Sequence, residues 1–287
     1  MNSDRNRSRS IRAYHFINAL LPIAALAFTA GCGSAAGGSA SAQQTQEVMG
    51  TLATVTVNAP NDQSAKAAID AAHQRLRDVN TLMSDYIDTS EIGRLNHLHA
   101  SESLEVSPET FACLQSAFEI ADESGGAFDP TCRPLVWLWR EHGKAGKLPP
   151  PEEIEQVRAR IGWKNVDLSP DSRKVTLHLD NMQLDLGGYA KGYALDLAAE
   201  AAKKAGATAG LVDVGGDIVA FGTRPNGDKW HIGVRDPFSN DRTKTFMTLE
   251  LTDAAVATSG HQERYYEIDG HKYSHIIDPR TGRPVEH

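Results

Sequence analysis

Residues 185–196, DLGGYAKGYALD, place an acidic side chain, two adjacent glycines and a lysine in quick succession. Gly187 and Gly188 allow the backbone to approach a ligand closely, and a helix starting just after them offers free amides and a positive dipole end to a phosphate. Lys191 adds a full positive charge. The stretch has neither the G-x-G-x-x-G of a dinucleotide turn nor the GK[ST] ending of a P-loop. On residue types alone it also reads as a plain turn with a solvated lysine. A second glycine pair, in DVGGD at 213–217, makes a corner that a flat ligand could approach, or a β-bulge. Between 258 and 279 the chain gathers Thr258, Ser259, Gly260, His275 and Asp278. His275 and Asp278 are the candidates for moving a proton, against the plainer readings of a strand histidine and an Asp-Pro turn opener.

These residues need elements to hold them. Alternating Thr and Val in MGTLATVTV, 49–57, predict a half-buried strand. From about Ser64, the apolar positions Ala65, Ile69, Ala72, Leu76, Val79 and Met83 recur at spacings of three and four, which predicts a helix lying on a sheet. Ser107 followed by Pro108 predicts a helix start, and Gly125-Gly126 its stop. A third helix is expected over 190–204, ended by Gly206. Beyond it, 208–214, 230–235, 245–251, 254–258, 263–268 and 272–277 read as short strands separated by turn residues. The fold class is α+β, one domain with helices packed on an antiparallel or mixed sheet, and no internal repeat.

Ahead of this domain, Arg5, Arg7, Arg9 and Arg12 flank an apolar run from Ile17 to Ala30, which predicts a signal peptide over 1–31. The run contains Pro22 and falls short of the roughly 20 residues of a bilayer-spanning helix. Ala30-Gly31 before Cys32 resembles a lipobox, so lipidation of Cys32 and a bacterial membrane anchor facing the periplasm or cell exterior are expected. Residues 32–46, small and polar, are expected to form a flexible tether. Losing the four arginines and one aspartate of residues 1–31 would take the formal charge from −8 to −11, which excludes nucleic acid as a natural partner. Cys113 and Cys132 lack metal-ligand spacing and read as buried small residues, with a disulfide left open.

Taken in order, MGT at 49–51, YIDTSEIGRLN at 86–96, GAFDPT at 126–131, PLVWLW at 134–139, DLGGYAKGYALD, VDVGGD and SHIIDPRTGRPVEH at 274–287 closely resemble the FAD:protein FMN transferases, the ApbE family. The resemblance spans about 47–287 and implies a domain built around one FAD site, with Mg²⁺ bridging the pyrophosphate. On that pattern Met49, Tyr86, Ala127, Phe128, Asp129, Asp185, Lys191 and Ile277 line the FAD site, and Gly188 offers a backbone carbonyl to the metal. The implied reaction transfers FMN from FAD to a threonine hydroxyl of an exported flavoprotein and releases AMP. The implied acceptors are extracytoplasmic subunits of membrane redox complexes.

In this family the chain usually continues past 287 into a segment that completes the Mg²⁺ site, so the sequence reads as a C-terminally incomplete member. Two other readings use the same cradle. Water in place of threonine would make an FAD pyrophosphate hydrolase giving FMN and AMP, and loss of chemistry would leave a periplasmic flavin-binding lipoprotein.

Overall fold

The computed structural model describes residues 39–239, 241, 243–259 and 265–286. The expected signal peptide, Cys32, the first part of the tether and Gly260 lie outside them. Among the described residues no helix is long and apolar enough to cross a membrane.

The described chain opens with a hairpin of β1 (Ala40–Val48) and β2 (Thr51–Ala59), paired along their full length. Met49 and Gly50 form the turn, with φ of 54° and 69°, the left-handed pair that matches the twist of a two-residue hairpin. The predicted strand at 49–57 is therefore β2, displaced by that turn. Residues 40–46 correct the tether expected there, because they are strand and not flexible chain. Their sequence is too polar to show a hydrophobic period. They need only one paired edge and one packed face, supplied by β2 and by His73, whose Nε2 lies 3.3 Å from the Gln44 carbonyl oxygen. A polar, solvent-tolerant edge strand is a common way to end a sheet.

Helix α1 (Asp62–Met83) begins at Asn61, whose side chain accepts from the Ser64 amide at 2.8 Å, and it buries all six of the predicted apolar positions. After it come α2 (Glu91–Leu95), β3 (Ser103–Glu105), α3 (Pro108–Glu123), α4 (Arg133–Lys144), α5 (Pro151–Arg158), β4 (Val166–Ser169), β5 (Lys174–Leu177) and α6 (Ala190–Lys204). The Ser107 cap, Pro108 in the first turn and the positive-φ glycines 125 and 126 bound α3 as predicted. The rest is β6 (Ala209–Val214), β7 (Asp217–Phe221), β8 (Trp230–Arg235), β9 (Thr245–Leu251), β10 (Ala254–Val256), β11 (Tyr265–Ile268), β12 (His271–Ser274), β13 (Ile277–Asp278) and β14 (Arg283–Pro284). The strand expected over 272–277 is thus broken after Ser274, whose hydroxyl accepts from the Ile276 amide in a local turn.

Strands pair antiparallel in the order β1-β2-β6-β7-β10, with a separate β3-β5-β4 sheet and three hairpins. Helices α1 and α6 pack on each other and on the main sheet. Their alanines allow that close approach, with Ala68, Ala72, Ala194, Ala198 and Ala202 all fully buried. A second, smaller core joins Leu135, Leu138 and Trp139 of α4 to Ile154 and Val157 of α5 and Ile277 of β13. The Trp139 indole N–H donates to the Gly282 carbonyl at 2.7 Å and fastens the C-terminal turn onto that core.

Candidate functional site

The α3–α4 loop carries Ala127, Phe128 and Asp129. Asp129 is 3% exposed, and its carboxylate accepts from the Thr131 amide at 2.8 Å, the Thr131 hydroxyl at 2.7 Å and the Trp163 amide at 3.3 Å. Burial nevertheless pushes its pKa up, with the Thr131 and Trp163 donors opposing the shift. These bonds commit Asp129 to shaping the loop. Phe128 is half-buried, Ala127 is exposed, and the Phe128 amide is held by the Ser124 hydroxyl at 3.1 Å.

That loop meets the DLGG corner. The Asp185 amide donates to the Pro130 carbonyl at 2.7 Å, and its Oδ1 accepts from the Gly187 amide at 2.6 Å. A Cβ on Gly187 would stand 2.9 Å from that same oxygen, and one on Gly188 would stand 3.1 Å from Cε2 of Phe128. Both glycines are exposed, and both are required by close approach. Helix α6 follows Tyr189, which gives it no side-chain cap; the Tyr189 and Ala190 amides donate to the Leu186 carbonyl at 2.8 and 2.7 Å, which leaves those of Lys191 and Gly192 as the first-turn donors suited to a ligand. Lys191 sits half-buried in that first turn. The Asp185 pKa is raised, first by burial and then by the nearby Asp85 charge, against the Gly187 amide and Arg133.

Arg133, the first residue of α4, ties the corner to the loop bearing Tyr86. Its Nε donates to Asp85 at 2.9 Å, Nη2 to the Asp85 carbonyl at 3.1 Å, and Nη1 to the Gln183 side chain at 2.7 Å. The ion pair is largely buried, with side chains 15% and 11% exposed. Tyr86 itself is 70% exposed. The Arg140 guanidinium lies 5.9 Å from its ring and 4.7 Å from that of Trp137, and Arg140 donates to the Tyr86 hydroxyl at 3.3 Å. An exposed aromatic face held by a cation suits a flat ring. Residue patterns missed Arg133 and Arg140, whose partners are distant in sequence. An arginine opening a helix just after an Asp-Pro-Thr turn was the one available signal.

The remaining predicted residues are dispersed. Met49 occupies the β1–β2 turn, where a non-glycine φ of 54° is a costly conformation held by its surroundings. It stands next to Thr51, against which Gly215 packs, and the Gly215 amide donates to Leu52 at 3.0 Å, so MGT and VDVGGD meet at one end of the main sheet. Ile277 is 8% exposed inside the second core, so its side chain is committed to packing. His275 is half-buried in the bend between β12 and β13. The Asp278 carboxylate accepts from the Arg280 amide and guanidinium at 2.8–2.9 Å. Arg280 holds its pKa below the usual carboxylate value, which suits it to bracing a turn better than to accepting a proton. Cys113 and Cys132 are both free thiols. Burial pushes the Cys113 thiol up to about 12 and raises that of Cys132 as well, so neither is a ready nucleophile.

Among the described residues no three His, Cys, Asp or Glu side chains gather as a metal-binding group. Mg²⁺, however, is ordinarily held by one or two carboxylates together with substrate phosphate oxygens and waters. Asp185, crowded by Asp85 beside the exposed Gly188 backbone, fits that partial role.

With this geometry in place, the profile of the ApbE family matches residues 49–287. The FAD:protein FMN transferase of Vibrio cholerae is 31% identical over 271 residues, covering 93% of this chain and 79% of its own length. That of Treponema pallidum is 32% identical over 253 residues, covering 83% and 69%. In three dimensions the chain is similar to the ApbE protein of Thermotoga maritima, at a TM-score of 0.76, 32% identity and coverage of 86% and 79%. It is also similar to the apo flavinyl transferase ApbE of Pseudomonas stutzeri, at 0.75, 29% identity and 87% and 77%.

Proposed function

The chain belongs to the ApbE family, and we propose that it is a flavin transferase moving FMN from FAD to a threonine hydroxyl of an acceptor protein, with release of AMP. The observation that carries this reading is the Gly187-Gly188 corner. It combines bare backbone, an uncapped helix start and Lys191 on one side with the Phe128 ring on the other.

FAD resists attack because its pyrophosphate is doubly negative, so catalysis calls for charge neutralisation and alignment. The Lys191 ammonium, with the backbone amides of Lys191 and Gly192, would bind the phosphates, and Tyr86 and Phe128 would hold flat parts of the ligand. The acceptor hydroxyl oxygen bonds to the FMN-side phosphorus, the phosphoanhydride bond on its far side breaks, and AMP leaves. His275 takes the hydroxyl proton in this scheme, while Asp278, braced by Arg280, holds the turn. Mg²⁺, when bound by Gly188 and Asp185 with the phosphates, would supply further neutralisation of charge.

Export completes the proposal. The basic flank and apolar run of residues 1–31 act as a signal peptide, and Cys32 carries a lipid that holds the protein on a bacterial membrane, facing exported acceptors. Labelling of the full chain in cells with a fatty-acid analogue, lost in Cys32→Ser, checks the anchor. For the reaction, the chain with FAD and Mg²⁺ should release AMP only when a threonine-bearing acceptor is added. AMP and free FMN without acceptor would make it a hydrolase instead.

A further inference from the structure

Asn96 is 9% exposed at the C-terminal cap of α2, and it forms a two-point amide pair with the backbone of Leu184, 88 positions away. Its Nδ2 donates to the Leu184 carbonyl at 2.9 Å, and its Oδ1 accepts from the Leu184 amide at 2.6 Å. The Leu184 side chain is fully buried in the main core, so every part of the residue before Asp185 is fixed.

The neighbours are fixed from other directions. Gln183 bridges to Cys132 and accepts from Arg133, and the Asp185 amide donates to Pro130. Residues 183–185 are therefore gripped by two separate segments, 130–133 and Asn96, and the Gly187-Gly188 corner projects from the end of that grip. Asn96 differs from the 130–133 segment in its origin. It closes the segment that begins with Tyr86, through a helix only five residues long. Ser90 stiffens that short path, accepting from the Gly93 amide at 2.8 Å and donating to the Ser84 carbonyl at 2.6 Å. One amide side chain thus sets the spacing between an exposed aromatic ring and a glycine corner.

We propose that Asn96 is a positioning residue for flavin transfer, fixing the height of Asp185, Gly187 and Gly188 relative to Tyr86. The proposal rests on the reading that these residues hold FAD. A side chain that both donates to the carbonyl and accepts from the amide of one buried residue must carry a donor and an acceptor together, as a carboxamide does. Asn96→Asp keeps the volume but sets a carboxylate oxygen against the Leu184 carbonyl. Displacement of a reacting group by about 1 Å is enough to lower a rate on the order of 100-fold.

The test compares Asn96→Asp with Leu76→Ala, a core truncation in α1 that serves as a control for lost stability, in the full chain at a temperature where circular dichroism shows both folded. Asn96→Asp should lower kcat/KM for FAD by about 10- to 100-fold, and Leu76→Ala should leave it within about 2-fold. Amide hydrogen exchange at Asp185–Gly188, measured without ligand, should quicken in Asn96→Asp and stay unchanged in Leu76→Ala. Asn96→Ser, whose single shorter hydroxyl cannot make both bonds, replaces Asn96→Asp if the latter does not fold. Equal kinetics and equal exchange in the Asn96 variant and the control would overturn the proposal. If the wild-type chain neither binds nor consumes FAD, the reading of the site fails, and the exchange comparison still decides whether Asn96 positions the corner.

Discussion

Phe128 lies so close to Gly188 that a Cβ added to the glycine would stand 3.1 Å from the ring carbon Cε2. The two residues come from motifs 60 positions apart, and their contact makes one wall of the proposed phosphate corner. Gly188→Ala should displace the ring or the corner, lowering FAD affinity at least 10-fold with a stability loss of about 1–3 kcal/mol. Phe128→Leu added to it should restore part of the affinity. Titration calorimetry of the single and double variants is the check, and an alanine variant with wild-type affinity would remove the contact from the account.

Lys191 separates binding from folding. It stands half-buried in the first turn of α6, and Lys191→Ala should change stability by no more than about 0.5 kcal/mol. FAD affinity should fall and its salt dependence should weaken, since a charge contact is lost. Unaltered affinity at two salt concentrations would show that the lysine faces solvent only.

The Asp85–Arg133 pair makes a prediction about stability. Removing the guanidinium alone leaves a carboxylate stranded in a largely buried place, so Arg133→Met should cost about 3–5 kcal/mol. The double variant Asp85→Asn, Arg133→Met should recover much of that loss. Urea unfolding midpoints measure both, and an additive double variant would deny the coupling.

His73 should make stability depend on pH. It is 1% exposed, its Nδ1 has no hydrogen-bond partner, and burial lowers its pKa, with Arg77 lowering it further and the Gln44 carbonyl and Asp70 opposing. In the unfolded chain it titrates near 6.5. A depressed folded value means that the unfolded state takes up the proton first, so the histidine's contribution is complete above pH 6.5 and is lost as pH falls through the folded value. Unfolding free energies between pH 5 and 7.5 should slope accordingly in the wild type and flatten in His73→Gln. Equal slopes in the two proteins would contradict this.

The sequence made the helices of the main core readable, because α1 and α6 bury a face against a sheet and must repeat every three to four residues. It hid β1, whose polar strand is defined by the β2 edge it pairs with and by no pattern of its own. At the site, glycine pairs and their following helix were visible because backbone geometry demands particular residue types. Arg133 and Asn96 were not singled out, since an arginine or asparagine acquires its role only from a partner that the fold supplies, Asp85 in one case and Leu184 in the other. Ile277, expected at the ligand, keeps its side chain in the second core, so any part it takes in the site falls to its backbone.

Transfer of FMN to a protein hydroxyl adds a fixed mass to the acceptor, so intact-mass measurement of that acceptor reads it out. The full chain would be incubated with FAD, Mg²⁺ and an exported flavoprotein carrying a candidate threonine, alongside the same acceptor with that threonine changed to valine. A gain of one FMN is expected on the threonine acceptor alone, lost when Mg²⁺ is chelated, with one AMP released per modified protein. An acceptor that keeps its mass while FAD is bound or split would contradict it.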